Sequence, residues 1–210
     1  MIITRLEKVK DTRWKVEVDG EYWGILDAEI LVKFRMKQGA EVDEDLLAEA
    51  LRAAEYRRAR ERALYLLDYR EHSRRELEIK LARNVSREVA EQVAARMQEL
   101  GLLNDEAYAQ RLARHYVLDK KQGARRAVLE LRKKGIDART AEEAVAAVEP
   151  EEDALLELVR RKYGRALAYN QDGKQREKAI RALMRLGHGY YDAADAVDTV
   201  LEELERESEE

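Results

Sequence analysis

Three leucines, Leu81, Leu131 and Leu183, occupy matching places in three helix-length segments spaced 50 and 52 residues apart. That recurrence constrains the fold more than any other feature of the chain. Each repeat reads as three short amphipathic helices holding too few apolar residues for a core of its own, so neighbouring repeats must share burial. The expectation is a mainly α fold: three tandem three-helix repeats in an elongated array. With 40% of the residues charged and a single proline, Pro150, the composition suits amphipathic helices.

Punctuation residues mark the repeats. Ser73 and Glu76 form a capping box at the start of one helix, and Ser86 can cap the next, whose stripe is Val89, Val93, Met97 and Leu100. Gly101 ends that helix and Asn104 or Asp105 caps the following one, where Tyr108, Leu112 and Tyr116 share a face. Gly123 interrupts the chain and Gly135 ends another helix. Thr140 with Glu143, or Asp137, starts a helix carrying Ala141, Ala144, Val145 and Val148. Pro150 suits the first turn of the third repeat. Its stripes run through Leu155, Leu158 and Val159, then Ile180, Leu183 and Leu186, then Val197, Val200, Leu201 and Leu204, before a frayed acidic tail.

The first residues differ from this pattern. Trp14, Val16 and Val18 alternate with polar residues before Asp19-Gly20, with Tyr22, Trp23, Ile25 and Leu26 following, which is a small β-hairpin region. An Ile2, Thr4, Leu6 alternation adds a third strand, and the tryptophans read as packing groups. A short helix over 28–37 precedes a long one capped by Asp43, whose middle, crowded by Arg52, Arg57, Arg58, Arg60 and Arg62, reads as a solvated link. The segments are thus 1–51, 52–103, 104–148 and 149–210.

Charge is distributed unevenly. Residues 1–51 carry −4, 52–148 carry +6 and 149–210 carry −6, a basic centre suited to nucleic acid or to an acidic protein groove. The absence of cysteine excludes disulfides and thiolate metal sites, and cytoplasm is the default expectation. No stretch approaches the roughly 20 apolar residues of a membrane helix. His72, His115 and His188 read as isolated, ordinary histidines, and Gly173-Lys174-Gln175 reads as a turn because it lacks the hydroxyl residue and spacing of a phosphate loop. No catalytic constellation, cofactor site or metal site emerges.

The informative chemistry lies on the second helix of each repeat. If Ala124, Ala127, Val128 and Leu131 face the core, Arg126 and Lys133 point directly away, Arg125 and Arg132 lie at one flank, and Leu129 falls among them. The 50-residue offset pairs Ile79 with Leu129 and Arg75 with Arg125. The third repeat breaks the pattern with Glu177 and Arg181. An outward aliphatic residue ringed by arginines suits a partner surface; the other reading packs Ile79 and Leu129 between modules.

The sequence Glu99-Leu100-Gly101-Leu102-Leu103-Asn104-Asp105, followed by Ala107-Tyr108-Ala109, Ala113-Arg114 with Tyr116-Val117, and Glu130-Leu131-Arg132-Lys133-Lys134-Gly135-Ile136, resembles the RecX family, regulators of the RecA recombinase. Ala63-Leu64 and Ser73-Arg74-Arg75-Glu76-Leu77 extend the likeness upstream. Asn104 stands where an aspartate is usual, and Arg83-Asn84-Val85 lacks the glycine kept in Lys134-Gly135-Ile136. The resemblance implies a non-enzymatic regulator that lies in the groove of the RecA filament on single-stranded DNA. There it opposes filament extension, ATP hydrolysis, strand exchange and coprotease activity. A monomer is the expected state. Contact residues are expected at Arg74, Arg75, Ile79, Arg125, Arg126, Leu129, Arg132, Lys133 and Lys134. The competing class is a helix-turn-helix module acting directly on DNA, disfavoured because Gln, Asn and Ser are scarce where a recognition helix would use them to read bases.

Overall fold

The computed structural model describes residues 1–151, 153–169 and 173–209. Among these residues a three-stranded antiparallel sheet precedes ten α-helices, and the chain divides into two compact units, residues 1–103 and 104–210.

The first unit opens with β1 (Ile3–Lys10), β2 (Arg13–Val18) and β3 (Glu21–Asp27) in sequential order. Asp19 and Gly20 form the tight turn, both at positive φ, which matches the twist of the strands it joins. The Ile2, Thr4, Leu6 alternation gives the strand but misplaces its inner face. The register shifts between Ile3 and Arg5, and the Thr4 hydroxyl accepts from the Gly20 N–H and donates to the Glu17 carbonyl. This bulge turns Ile3, rather than Ile2, into the core, with Leu6 packed beside it. Trp14 and Trp23 are half-buried against the same core. Helix α1 (Ala28–Lys33) ends before Arg35, which adopts φ 53°, so it is shorter than the expected 28–37.

Asp43 caps α2 (Glu44–Tyr69) by accepting from the Leu46 N–H at 2.8 Å. This helix serves two cores. Leu47, Ala50 and Ala54 pack with the sheet and α1, whereas Ala59, Ala63 and Leu66 pack with α3 (Arg74–Leu81) and α4 (Arg87–Glu99). At 100° per residue the two stripes point roughly 150° apart, so no single amphipathic face runs through the sequence. The expectation of a solvated link is therefore corrected. Arg57, in particular, ties α2 to the sheet and α1 through Asp27 and Glu29, both at 3.1 Å, and also pairs with Glu61.

The Ser73–Glu76 capping box is formed as expected, and Ser86 caps α4. The turn between α3 and α4 closes without a glycine, with the Asn84 N–H on the Leu81 carbonyl and no positive φ. Leu77, Leu81, Val89, Val93 and Met97 fill the core. Leu100 does not: it is the C-terminal cap residue and exposed, and Leu103 is buried in its stead after the left-handed turn at Gly101.

In the second unit, Asn104 caps α5 (Asp105–Arg114), accepting from the Ala107 N–H at 2.9 Å. A single π-helical turn, His115–Asp119, prolongs it. Helix α6 (Ala124–Lys133) and α7 (Ala138–Ala146), the latter capped by Asp137 rather than Thr140, complete a core of Tyr108, Ala109, Ala113, Ala127, Leu131, Ile136, Ala141, Ala144 and Val145. Helix α8 (Ala154–Tyr169) starts four residues after Pro150, which lies in the connection and not in the first turn. With α9 (Lys174–Arg185) and α10 (Tyr190–Glu209) it encloses Leu158, Val159, Leu167, Ile180, Leu183, Val197 and Val200. The expected frayed tail is helical through Glu209; residue 210 lies outside the described residues.

The junction of α6 with the end of α9 was invisible in the sequence. The Gly123 N–H donates to the Leu186 carbonyl at 2.9 Å, and the His188 imidazole donates through Nε2 to the Lys121 carbonyl at 3.0 Å. The backbones meet so closely that a Cβ on Gly123 would lie 2.3 Å from the Gly187 carbonyl carbon and oxygen. A Cβ on Gly187, itself at φ 96°, would lie 2.5 Å from Arg126 Cβ.

Candidate protein-interaction surface

Each unit carries a candidate surface of its own, one on α3, whose Leu77 and Leu81 are buried, and one on α6, whose buried leucine is Leu131. On the other side of α3, Ile79 is 50% exposed, and on α6 its counterpart Leu129 is 45% exposed. Neither belongs to the core of its own unit. A shallow groove of about 140 Å³ beside Ile79 is walled by Arg75, Glu78, Ala82, Arg87 and Glu91.

The flanking cations differ between the two helices. On α3, Glu78 is largely buried and engages both Arg74, at 2.9 Å, and Arg75, at 3.4 Å; Arg74 also reaches Gln98 of α4 at 3.2 Å. On α6 the half-buried Glu130 gathers Arg126 at 2.6 Å and Lys133 at 3.1 Å. Arg125 and Arg132 are exposed and make no ion pair or hydrogen bond through their side chains among the described residues. Lys134, the cap residue that ends α6, is half-buried and donates its N–H to the carbonyls of Glu130 and Leu131. Two expectations for α6 need correction. Ala124 is exposed at the helix start, and Arg126 is half-buried instead of pointing directly outward, because Gly187 packs against its backbone and Cβ. Arg83, which the 50-residue offset matches to Lys133, is exposed and makes no ion pair among the described residues; it is a further candidate, and the offset is the sequence signal for it.

In the third module several charges are held in ion pairs. Arg176 grips Asp198 of α10 with two bonds of 2.6 Å, which holds the Asp198 carboxyl below its usual range, and Arg160 donates to the Glu203 carboxylate, also on α10. Arg181 pairs with Glu177. Thus the exposed aliphatic position of the first two modules is replaced by an ion pair within α9.

The histidines are less isolated than the sequence reading held, since His72 and His115 each have a carboxylate four residues on. His115 Nδ1 lies 2.8 Å from Asp119. His72 is only 2% exposed, with Nδ1 3.5 Å from Glu76 and neither ring nitrogen in a well-formed hydrogen bond. Burial first, then the charges of Arg70 and Lys80, push its pKa below the ordinary value, with Glu76 pulling the other way. Among the described residues no group of three or more His, Asp or Glu side chains is placed to hold a metal ion, and no helix is long and apolar enough to cross a membrane.

Comparison with known proteins bears on these two helices. Residues 59–97 match the family described as RecX, first three-helix domain, and residues 104–145 match RecX, second three-helix domain. The first match takes in α3, the second α6. The chain is 30% identical over 169 residues to the regulatory protein RecX of Clostridioides difficile (strain 630), spanning 78% of this chain and 79% of that protein. It is 28% identical over 205 residues to the regulatory protein RecX of Bacillus subtilis (strain 168), spanning 97% and 76% respectively. A crystal structure of regulatory protein RecX superposes with a TM-score of 0.65 at 21% identity, covering 95% of this chain and 98% of that one, a likeness of fold.

Proposed function

The chain belongs to the RecX family, and from that premise we propose that it is a negative regulator of the RecA recombinase in the cytoplasm. It acts as a monomer, without cofactor or covalent chemistry, by binding the RecA filament on single-stranded DNA. Filament extension, ATP hydrolysis, strand exchange and coprotease activity fall as a consequence. One observation carries the reading. The two modules that match the family each present an exposed aliphatic residue beside cations at equivalent positions, Ile79 and Leu129, while the third module replaces it with an internal ion pair. The apolar side chain supplies burial, and the unpaired Arg125 and Arg132 supply attraction to an acidic groove.

Titrating variants into RecA hydrolysing ATP on single-stranded DNA tests this. Arg125→Glu with Arg132→Glu should weaken inhibition at low salt while leaving the fold intact, since exposed unpaired residues contribute little to stability. Leu129→Ala should cost about 1–2 kcal/mol of binding if that side chain is covered by the partner. Arg185, exposed and unpaired in the third module, is the control; Arg176 is unsuitable because it holds α10. Full inhibition by the double reversal, with loss on Arg185→Glu, would place the partner surface in the third module instead.

A further inference from the structure

A different face of the first unit carries features that the proposed surface does not use. Along the C-terminal half of α2, Arg58, Arg62, Tyr65 and Tyr69 fall at intervals of four, three and four residues. At 100° per residue they lie within about 60° of one line, a strip about 16 Å long. Nothing in the fold accounts for the rings. Tyr65 is 63% exposed and Tyr69 81% exposed, and no core residue covers either. Among the described residues neither Arg58 nor Arg62 has a carboxylate partner, and the Arg62 guanidinium lies over the Tyr65 ring, 5.0 Å from its centroid. Beside the strip, Arg58, Ala59, Arg62, Leu81, Asn84 and Val85 line an open groove of about 340 Å³ between α2 and the α3–α4 turn. Of the acidic residues on α2, Glu61 is paired with Arg57 on the flank, Asp68 lies about 60–120° around the helix from the four residues, and the half-buried Glu55, about 20–80° away, precedes Arg58 by one turn and leaves the Arg62–Tyr69 end of the strip clear.

We propose that this strip is a binding site for single-stranded DNA, with bases stacking on Tyr65 and Tyr69 and phosphates meeting Arg58 and Arg62. Exposed rings interleaved with free guanidinium groups match an unpaired strand, which offers a flat π-face and a negative charge at every nucleotide. A duplex keeps its bases stacked inside and offers the rings nothing. Tyrosine and arginine also anchor protein interfaces, so a protein partner is the reading that remains if oligo(dT) affinity proves independent of the strip. The choice of DNA over RNA rests on the function proposed above; the stacking itself does not, and it is measured without RecA.

The experiment is fluorescence anisotropy of labelled oligo(dT), oligo(U) and a mixed-sequence duplex with the full chain at two salt concentrations. Tyr65→Ala with Tyr69→Ala should weaken oligo(dT) binding about tenfold or more while leaving duplex binding unchanged, and the matching Phe variants should retain affinity. Arg62→Glu should weaken binding and flatten its salt dependence. Circular dichroism and melting of each variant establish that it is folded. Unchanged oligo(dT) affinity in the folded Ala variant overturns the site, as does equal loss on duplex. Tighter binding of oligo(U) than of oligo(dT) overturns the assignment to DNA. Loss of oligo(dT) binding in the Ala variant supports the strip even if RecA inhibition proves absent, which would sink only the function proposed above.

Discussion

The meeting of Gly123 with Gly187 allows a steric term to be separated from a backbone term. Gly123 has φ −68°, which any residue adopts, so a side chain there costs only the collision with the Gly187 carbonyl at 2.3 Å and the His188 nitrogen at 2.4 Å. Those are backbone atoms, which cannot rotate aside, and forced overpacking costs about 1–3 kcal/mol. Gly187→Ala meets Arg126 at 2.5 Å and adds the strain of φ 96°, about 1–2 kcal/mol, for a total of about 2–5 kcal/mol. Gly101→Ala, at φ 71° with nothing within 4 Å, carries the strain alone. Gly123→Ser sharpens the comparison. Gly123 is the N-cap of α6, a position where serine is normally at least as good as glycine, so only the collision can make it worse. Urea unfolding of each variant, followed by circular dichroism, gives the differences. The expected order of cost is Gly187→Ala largest, with Gly123→Ser destabilising by at least about 1 kcal/mol. A Gly123→Ser protein as stable as the parent would show that the two backbones do not meet as described.

Arg57→Ala should destabilise the first unit by about 1–3 kcal/mol in thermal melts, because it leaves the buried Asp27 carboxylate without its guanidinium. Arg87→Ala, which breaks an exposed pair with Glu91, should leave the melting temperature almost unchanged, and equal shifts for the two variants would refute the bridging role of Arg57. His72 gives a pH signature. Its native pKa lies below 6.5, so the unfolded chain binds the proton more readily, and stability should be full above about pH 6.5 and decline as pH falls from there through the native value. A His72→Gln protein should show a shallower decline between pH 7.5 and 5 in the same melts; an identical slope would mean that His72 titrates normally.

Much of the helical framework was legible because its signals are local. Caps such as Asp43, Ser73 and Ser86 act within three residues, and the repeat placed Leu81, Leu131 and Leu183 correctly in three cores. The outward facing of Ile79 and Leu129 followed from the same periodicity. What escaped depends on contacts distant in sequence. The Thr4 bulge is fixed by Glu17 and Gly20, Arg57 is engaged by β3 and α1, and Arg126 loses its exposure to Gly187. Leu100 was misplaced because the left-handed turn at Gly101 hands its buried position to Leu103.

The two buried stripes of α2 also set a rule for how the chain can vary in length. Since the helix locks the sheet's core to that of α3 and α4, one residue inserted between Ala54 and Ala59 turns one core about 100° against the other and shifts it about 1.5 Å. Seven residues instead restore the angle to within about 20°, at the expense of about 10 Å of added separation. Relatives differing in this helix should therefore differ by whole pairs of turns, and single-residue gaps in their alignments should collect in the loops on either side of it.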